Sequence, residues 1–301
     1  MIFNCLKPAL TYGLHDDKND FSGIDKEDQC LRPCIALTLE RLEIDECISD
    51  KELQSHIDLI EFRLDSVIKD LQDSESPDIF SDVVSLCLRR DIDFKYLFTL
   101  RTENEGGDAR LNAEEYILCI MRLISEIYRI PKALGHVAGL DIEVQNFHKA
   151  GEDIVKVIKN IKDKTIILSS HIVRPFKVAS YTCDDTTNSC DFTQPIEEKL
   201  NLLLTEYKKC IDCGIKNVLI KLAVELLSNK ELEVFEKIIV DFRKKYDLPA
   251  IFIPLGSKMM NERIYNDCFK APVYFAKLCR DKVTGQFDAI ELYKHLISEV
   301  N

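Results

Sequence analysis

Short apolar runs alternate with helix-period segments along most of this 301-residue chain, and this alternation constrains its fold more than any other feature. Eight runs have the length and the Val, Ile and Leu content of buried strands. They are Pro33 to Leu39, Ile57 to Phe62, Lys95 to Leu100, Val137 to Glu143, Thr165 to Ser170, Asn217 to Ala223, Ala250 to Leu255 and Pro272 to Phe275. Eight strands that alternate with helices predict a closed (β/α)8 barrel, the TIM barrel of the α/β class, rather than an open sheet.

Two segments do not follow this alternation. Residues 1–32 are polar and acidic, so we expect an irregular N-terminal arm before a single barrel domain over residues 33–301. The stretch from Val173 to Gln194 is rich in Thr, Asp, Ser and Asn, and a connection longer than about 15 residues is usually a lid, a binding loop or disordered. Because it follows the fifth predicted strand, we expect it at the end of the barrel that carries active sites.

The charge balance bears on the partners that the chain can bind. It has 52 acidic and 40 basic residues, a net charge of −12, and nucleic-acid surfaces need a basic stripe instead. We therefore expect small-molecule partners and no nucleic acid. No apolar run approaches the roughly 20 residues of a membrane helix, and the N-terminus does not resemble a targeting segment. These features predict a soluble, cytoplasmic protein without a membrane partner.

The twelve cysteines do not predict a disulfide framework or a metal site. Several, such as Cys87 and Cys119, lie in apolar patterns where free thiols behave as small hydrophobic residues. The close pair Cys210 and Cys213 has no second pair and no nearby histidine to complete four zinc ligands. We expect reduced thiols and no metal.

Lys221 is the most unusual residue of the predicted strands, because the run around it, Asn217 to Val224, is otherwise apolar. A charged ammonium in a buried strand costs free energy unless it is paired, solvated or neutral. Burial lowers the pKa of a lysine by as much as roughly 3 to 5 units, which would leave an amine able to attack a ketone. The alternative is a lysine at the strand end with its ammonium in water, and the run alone does not decide between them.

Polar residues gather at the predicted carboxyl ends of the other strands, where the working residues of such barrels stand. They are Glu61, Arg63, Arg101, Glu105, Asp141, Glu143, His171 and, beyond the seventh strand, Arg263. Structural explanations exist for some of them: Glu61 and Arg63 could pair on the rim. Arg101 could end its strand in water, and His171 could be a core histidine with satisfied hydrogen bonds. At one barrel mouth, the whole set favours a functional site.

A buried amine near an imidazole predicts a specific chemistry. If Lys221 condenses with a ketone, the protonated imine withdraws electrons and acidifies the adjacent carbon. His171, with an ordinary pKa of about 6.5, could remove a proton there and return one to a leaving group on the next carbon. Arg101 and Arg263 offer planar donors for hydroxyls or a carboxylate, so we expect a small, polar, anionic substrate.

Five segments carry a resemblance to a known family, and a weaker sixth runs from Leu255 to Gln286. The five are Ile57 to Asp65, Phe98 to Gly107, Leu140 to Glu143, Ile166 to His171 and Val218 to Val224. In sequence and in order they resemble type I 3-dehydroquinate dehydratase, the TIM-barrel lyase of the shikimate pathway of aromatic amino acid biosynthesis. The resemblance implies dehydration of 3-dehydroquinate to 3-dehydroshikimate through a lysine Schiff base. It also implies no metal or organic cofactor and a homodimer.

The resemblance further implies a role for each matching residue. Lys221 matches the imine-forming lysine, His171 the general acid and base, and Glu105 the glutamate that orients this histidine. The substrate-binding residues that match are Glu61, Arg63 and Arg101 for the ring hydroxyls, Arg263 for the carboxylate, and Gln286 on a closing loop.

The chain departs from the family at the carboxylate end of this site. Glu262 stands where the family usually has a serine, and Lys282 lies in the loop before Gln286. Glu262 could repel an anion, and Lys282 could compensate. These departures favour one alternative to an active dehydratase, a catalytically degraded homologue that acts as a binding or scaffold protein. The lysine chemistry allows a second alternative, a class I Schiff-base aldolase acting on another substrate.

Overall fold

The computed structural model describes residues 33–40, 43, 50–72, 79–86, 94–173, 192–278 and 286–298. The expected N-terminal arm, residues 1–32, lies outside the described residues, as do Lys282 and residues 174–191 of the long connection. In the described part of the chain, no helix combines the length and the apolar character needed to cross a membrane.

The strands form one parallel sheet. They are β1 (Cys34–Leu39), β2 (Leu59–Arg63), β3 (Lys95–Thr99), β4 (Val137–Glu143), β5 (Thr165–Ile172), β6 (Val218–Glu225), β7 (Ala250–Leu255) and β8 (Val273–Ala276). Each strand from β1 to β6 pairs with the next one along the chain, and β1 also pairs with β8. All eight correspond to predicted strands, with some ends shifted by one or two residues, as is usual where the first and last ladder bonds are weak.

Helices between the strands cover the outer face of the sheet. In the described residues they are α1 (Lys51–His56), α2 (Asp65–Gln72), α3 (Ile79–Leu86), α4 (Ala113–Arg129), α5 (Pro131–His136), α6 (Val144–Ala150), α7 (Glu152–Ile158), α8 (Thr193–Asp212), α9 (Asn229–Lys245), α10 (Glu262–Tyr265) and α11 (Ala289–Ser298). Short 3-10 turns also occur, including Glu103–Glu105 after β3 and Ser257–Met259 after β7.

The long helices form where local signals and apolar faces agree. Helix α4 begins after Asn112, whose side chain caps it, and Glu115 completes a capping box. Its buried face includes Tyr116 and Ile120 of the predicted stripe. Helix α8 ends before Gly214, whose φ of 84° places it in the left-handed region that favours glycine.

Two apolar clusters show that the sheet is rolled into a barrel. The outer cluster lies between strands and helices and contains outward side chains such as Phe62 and Phe98. The inner cluster takes at least one residue from every strand: Cys34, Ala36, Leu59, Leu97, Ala138, Ile167, Leu219, Ile251 and Val273. Since β7 and β8 are the two ends of the hydrogen-bonded order and both contribute to this cluster, the barrel is nearly closed. The predicted (β/α)8 fold is confirmed.

Candidate active site

The site lies directly above the inner apolar cluster. Inward side chains recur every second residue along a strand, so the next inward position is two residues closer to the carboxyl end. On five strands this step leads from the apolar floor to a polar residue: Thr38, Glu61, Thr99, Ser169 and Lys221. On β4 the pairing with β3 shifts register at Ala138, so the polar residue Asp141 comes three positions after it. Strands β7 and β8 place Ile253 and Phe275 at that level. The site therefore has a polar side and an apolar side.

Lys221 lies inside β6 and is only 4% exposed, so the alternative of a solvated lysine at the strand end is wrong. Its Nζ donates to Asp141 Oδ2 at 3.0 Å and lies 4.0 Å from Glu61 Oε1. The same nitrogen lies 4.0 Å from the ring centroid of Phe275. Two carboxylates and an aromatic face therefore surround this nitrogen. The lysine is paired, and only its unprotonated amine can attack a ketone.

Asp141 joins the two buried cations of the site, Arg101 and Lys221. Its Oδ1 accepts from Arg101 at 2.8 Å and from the hydroxyl of Ser169, while its Oδ2 accepts from Lys221. Burial alone would raise the pKa of Asp141, but the Arg101 guanidinium and then the Lys221 ammonium outweigh it and hold that pKa well below its usual range. Asp141 is thus a permanent carboxylate that anchors both cations.

Arg101 is buried rather than an exposed strand terminator. Besides Asp141, its guanidinium donates to Glu105 at 3.1 Å and to Ser169 at 3.0 Å, and it lies 3.7 Å from Glu143. Burial alone would lower the pKa of Arg101, but the neighbouring acidic groups, Asp141 and Glu143 foremost, outweigh it and raise that pKa. Its charge is therefore fixed, and it sets the positions of the acidic groups around it.

Glu61 and Arg63 do not pair with each other, so the rim pair considered from the sequence is wrong. Glu61 accepts hydrogen bonds from the hydroxyls of Thr38, at 2.6 Å, and Thr99, at 2.7 Å. Arg63 donates from Nε to Asp65 at 2.8 Å and forms a second bond from its terminal nitrogen at 2.5 Å. This bidentate pair fixes the guanidinium plane at the cavity edge.

Glu105 lies against His171. The carboxylate Oε2 is 3.2 Å from His171 Nδ1 and accepts from the backbone N–H of His171 at 3.2 Å. Two glycines hold Glu105 there: Gly106 has a φ of 81°, and a side chain on Gly107 would come within 2.2 Å of the Arg101 carbonyl oxygen. The Glu–Gly–Gly sequence is therefore required by the turn that presents the carboxylate.

The surroundings of Glu105 and His171 shift the pKa values of both groups. Burial, then the Glu143 carboxylate, raise the pKa of Glu105 to about 8. Burial, followed by the cations of Arg101 and Lys221, lowers the pKa of His171 well below its ordinary value. At neutral pH the imidazole is therefore uncharged.

Glu143 stabilises the start of the turn that carries Glu105. Its carboxylate accepts from the backbone N–H of Thr102 at 2.7 Å, from the Thr102 hydroxyl at 2.9 Å and from Asn146 at 2.7 Å. Burial raises the pKa of Glu143, against the effect of Arg101. These bonds fix the start of the Glu103–Glu105 turn and hence the position of Glu105.

Arg263 and Gln286 complete the site from the chain's last quarter. Arg263 lies on α10, and its Nε donates to the carbonyl oxygen of Pro254 at 2.9 Å. The neighbouring Glu262 accepts from Asn266 at 3.0 Å and is not among the residues that line the cavity. Glu262 is therefore not placed on the cavity wall, where it could have repelled a bound anion.

A cavity of about 160 Å³ occupies this end of the barrel. All eight predicted site residues line it: Glu61, Arg63, Arg101, Glu105, His171, Lys221, Arg263 and Gln286. Sequence reasoning placed Asp141 at a strand end but gave it no role, and it missed Thr38, Thr99 and Ser169. The two-residue inward step above the apolar floor was the signal that would have found Thr38, Thr99 and Ser169, whereas the register shift on β4 breaks this step before Asp141.

The cysteines of the described residues are free thiols, including Cys210 and Cys213. Within those residues, no cluster of three or more His, Cys, Asp or Glu side chains is arranged to hold a metal ion.

Comparisons with known proteins agree with this architecture. A family model for type I 3-dehydroquinase matches residues 33–299. The chain is similar to the structure of a type I 3-dehydroquinate dehydratase from Clostridium difficile with covalent modified comenic acid, at 21% identity and a TM-score of 0.61 over 89% of this chain and 92% of that chain. It is also similar to a 3-dehydroquinate dehydratase from Geobacillus kaustophilus, at 20% identity and a TM-score of 0.60 over 89% of this chain and 91% of that chain. The enzyme from Enterococcus faecalis shows 19% identity and a TM-score of 0.59 over 89% of this chain and 94% of that chain. At these identities the likeness shows the fold. Among curated proteins, none matches the chain.

Proposed function

The chain belongs to the type I 3-dehydroquinase family, and from this premise we propose that it dehydrates 3-dehydroquinate to 3-dehydroshikimate through an imine on Lys221. The observation that carries the proposal is a buried lysine and a neutral histidine on neighbouring strands of one cavity. Ser169 pairs in register with Lys221, so His171 lies one strand across and two residues further up. The Cα atoms of His171 and Lys221 are then roughly 8 Å apart, which leaves room for a small ring between their side chains.

Imine formation begins with the loss of a proton from the Lys221 ammonium. Asp141 cannot retain that proton because its pKa lies well below the usual range, whereas the neutral His171 can accept one. The freed amine attacks the ketone carbon of the substrate to give a carbinolamine. Its hydroxyl leaves as water with the proton that His171 took from the ammonium, which gives the protonated imine and a neutral His171. Asp141 and Glu61 then lie beside the positive nitrogen and stabilise it.

Elimination follows from the electron demand of the imine. His171 takes a proton from the carbon next to the imine, and the electron pair moves toward the nitrogen. When the pair returns, the hydroxyl on the next carbon leaves as water with a proton supplied by His171. A second water hydrolyses the imine, so imine formation and hydrolysis cancel and the net reaction releases one water. Glu105 orients the imidazole and stabilises its cationic form during the transfer.

Substrate binding uses the residues around this pair. We propose that Glu61, Arg63 and Arg101 hold ring hydroxyls, that Arg263 binds the carboxylate, and that Gln286 closes over the ring. The fixed planes of Arg63 and Arg101 support this, because a preorganised donor loses little entropy on binding. The apolar side of the cavity, with Ile253 and Phe275, faces the carbon skeleton.

The test is reductive trapping. The protein is incubated with 3-dehydroquinate and borohydride, and the adduct is located by peptide mass mapping. The expected result is a reduced adduct on Lys221 in the wild type, no adduct in Lys221→Ala, and enone absorbance in the absence of borohydride. The matched control is Lys209→Ala, a partly buried lysine 3.4 Å from Glu206 that does not line the cavity. It should trap and turn over like the wild type.

Other outcomes would favour the alternatives. Binding without an adduct or an enone would support a non-catalytic binding or scaffold protein. An adduct on Lys221 with carbon–carbon cleavage of a different ketone would support an aldolase.

The assembly and location of the protein are further parts of the proposal. We propose one barrel domain over residues 33–301 that acts as a cytoplasmic homodimer, as the family resemblance implies. Light scattering of the purified protein tests the dimer, since a monomeric mass at micromolar concentration would contradict it.

A further inference from the structure

A contact on the outer side of the site joins the two elements that carry Arg263 and Gln286. Tyr265, the last residue of α10, places its hydroxyl 2.7 Å from Nδ1 of His295 on α11, within hydrogen-bond distance. Their rings meet edge to face with centroids 5.9 Å apart. Tyr265 is 52% exposed, so its ring is not held in place by a surrounding core. Its position depends on the histidine.

Helix α10 needs such support because it has four residues, and a helix of one turn is not stable by itself. Within it, Ile264 is fully buried and Arg263 donates to the Pro254 carbonyl. These contacts hold one side of the turn, and Tyr265 ties its end to α11. The orientation of the turn decides where the Arg263 side chain enters the cavity.

His295 also contacts the segment that carries Gln286. Its ring centroid lies 5.8 Å from that of Phe287, which follows Gln286 directly and is buried. The backbone N–H of Lys277 donates to the Phe287 carbonyl at 2.9 Å, so this segment is joined to the end of β8. Leu292, three residues before His295 on α11, lines the cavity together with Phe287. One imidazole thus contacts both sides of the anion-binding end.

We propose that Tyr265 and His295 are positioning residues: they hold Arg263 in place to bind the substrate carboxylate and Gln286 in place to close over the ring. This inference rests on the proposed function and adds to it two residues outside the cavity. Their contact preorganises the binding elements before the substrate arrives, so its loss should raise KM and leave the chemical step nearly unchanged. A contact that only stabilised the fold would change the melting temperature without this separation of KM and kcat.

The experiment compares Tyr265→Phe, His295→Ala and the double variant with the wild type. The expected result is a KM for 3-dehydroquinate that rises about three- to tenfold in each single variant, the range for one net hydrogen bond, with kcat within about twofold. The double variant should match the weaker single variant, because the two residues act through one contact. His295→Asn, which keeps a polar atom near the Nδ1 position, should restore most of the affinity.

His56→Ala is the matched control. His56 packs against Tyr293 on the same helix α11, with ring centroids 4.1 Å apart, and it does not line the cavity. Its loss should lower the melting temperature and leave KM within about twofold. An unchanged KM in both Tyr265→Phe and His295→Ala would overturn the proposal. An equal rise in KM in His56→Ala would also overturn it, because stability of α11 would then explain the effect.

Calorimetric titration of the same variants with 3-dehydroshikimate separates this proposal from the proposed function. If the wild type binds the compound without dehydrating 3-dehydroquinate, the proposed function fails, and a weaker dissociation constant in Tyr265→Phe still supports the contact. If the wild type neither binds nor reacts, both proposals are overturned.

Discussion

The Nζ of Lys221 lies 3.0 Å from Oδ2 of Asp141, and the second oxygen of this carboxylate accepts a hydrogen bond from Arg101. One buried acidic group therefore pairs with two buried cations, one on β6 and one just after the end of β3. A single carboxylate between two cations fixes the distance between them, and both cations line the cavity. The position of the proposed nucleophile thus depends on a residue that does not itself line the cavity.

Asp141→Asn should lower both stability and activity. The amide is neutral and cannot compensate the Lys221 ammonium, whose other carboxylate, Glu61, is 4.0 Å away, and removing one partner of a buried ion pair costs about 3–5 kcal/mol. We expect the free energy of unfolding in urea to fall by this amount and borohydride trapping on Lys221 to slow markedly. The control is Asp153→Asn, which removes a carboxylate paired with Lys156 at 3.1 Å where both side chains are largely exposed. That change should alter stability by less than about 1 kcal/mol. Wild-type trapping in Asp141→Asn would exclude Asp141 from positioning Lys221.

The polar residues that surround Asp141 above the apolar floor could have been predicted from the sequence more fully than they were. The apolar runs identified the strands, and the period of two along a regular strand fixes which residues point inward. What the sequence does not give is the stagger between strands, which decides that Asp141 stands beside Lys221 rather than below it. That stagger depends on barrel closure and on a register shift between Tyr96 and Leu97 in the pairing of β3 with β4.

The rate of turnover should rise with pH through about 8. Below this value Glu105 is a neutral carboxyl that donates its proton to His171 Nδ1, so Nε2 carries the ring proton and cannot act as a base. Above it, the carboxylate accepts from Nδ1–H and Nε2 becomes free. We therefore expect kcat to fall about tenfold per pH unit below 8, as measured by enone absorbance.

Glu105→Gln tests this assignment. An amide cannot ionise, so the step near pH 8 should disappear and kcat should be low at every pH. If the step persists in Glu105→Gln, another group causes it. Glu103→Gln, which changes an exposed carboxylate two positions earlier, should keep the wild-type profile.

The same shift makes a prediction about stability. Because the pKa of Glu105 is raised in the folded state, the folded protein holds this proton more tightly than the unfolded chain does. Stability is therefore lost as the pH rises from the ordinary glutamate range to about 8. Glu105→Gln removes the ionisation, so its melting temperature relative to the wild type should increase between pH 5 and pH 8.5. A difference in melting temperature that is independent of pH would show that Glu105 is ionised throughout this range.

The carboxylate end of the site shows where sequence reasoning stopped. The motif around Arg263 was found, but the direction of the adjacent side chain was not, because a one-turn helix points consecutive residues to different sides. Glu262 interacts with Asn266, whose amide also donates to Glu236 on α9. Such a contact joins residues about 30 positions apart, and no local pattern indicates it.

Glu262→Gln should therefore leave substrate binding nearly unchanged. The carboxylate of Glu262 accepts from Asn266 outside the cavity lining, and charges that are separated and partly solvated interact weakly at physiological salt. We expect KM for 3-dehydroquinate to change by less than about twofold, whereas Arg263→Gln, one position along the same helix, should raise KM by at least tenfold, because a charge-assisted bond to a carboxylate contributes about 1.5–3 kcal/mol. Steady-state kinetics at low and moderate salt measure both. A large fall in KM in Glu262→Gln that disappears at high salt would mean that Glu262 repels the substrate at long range.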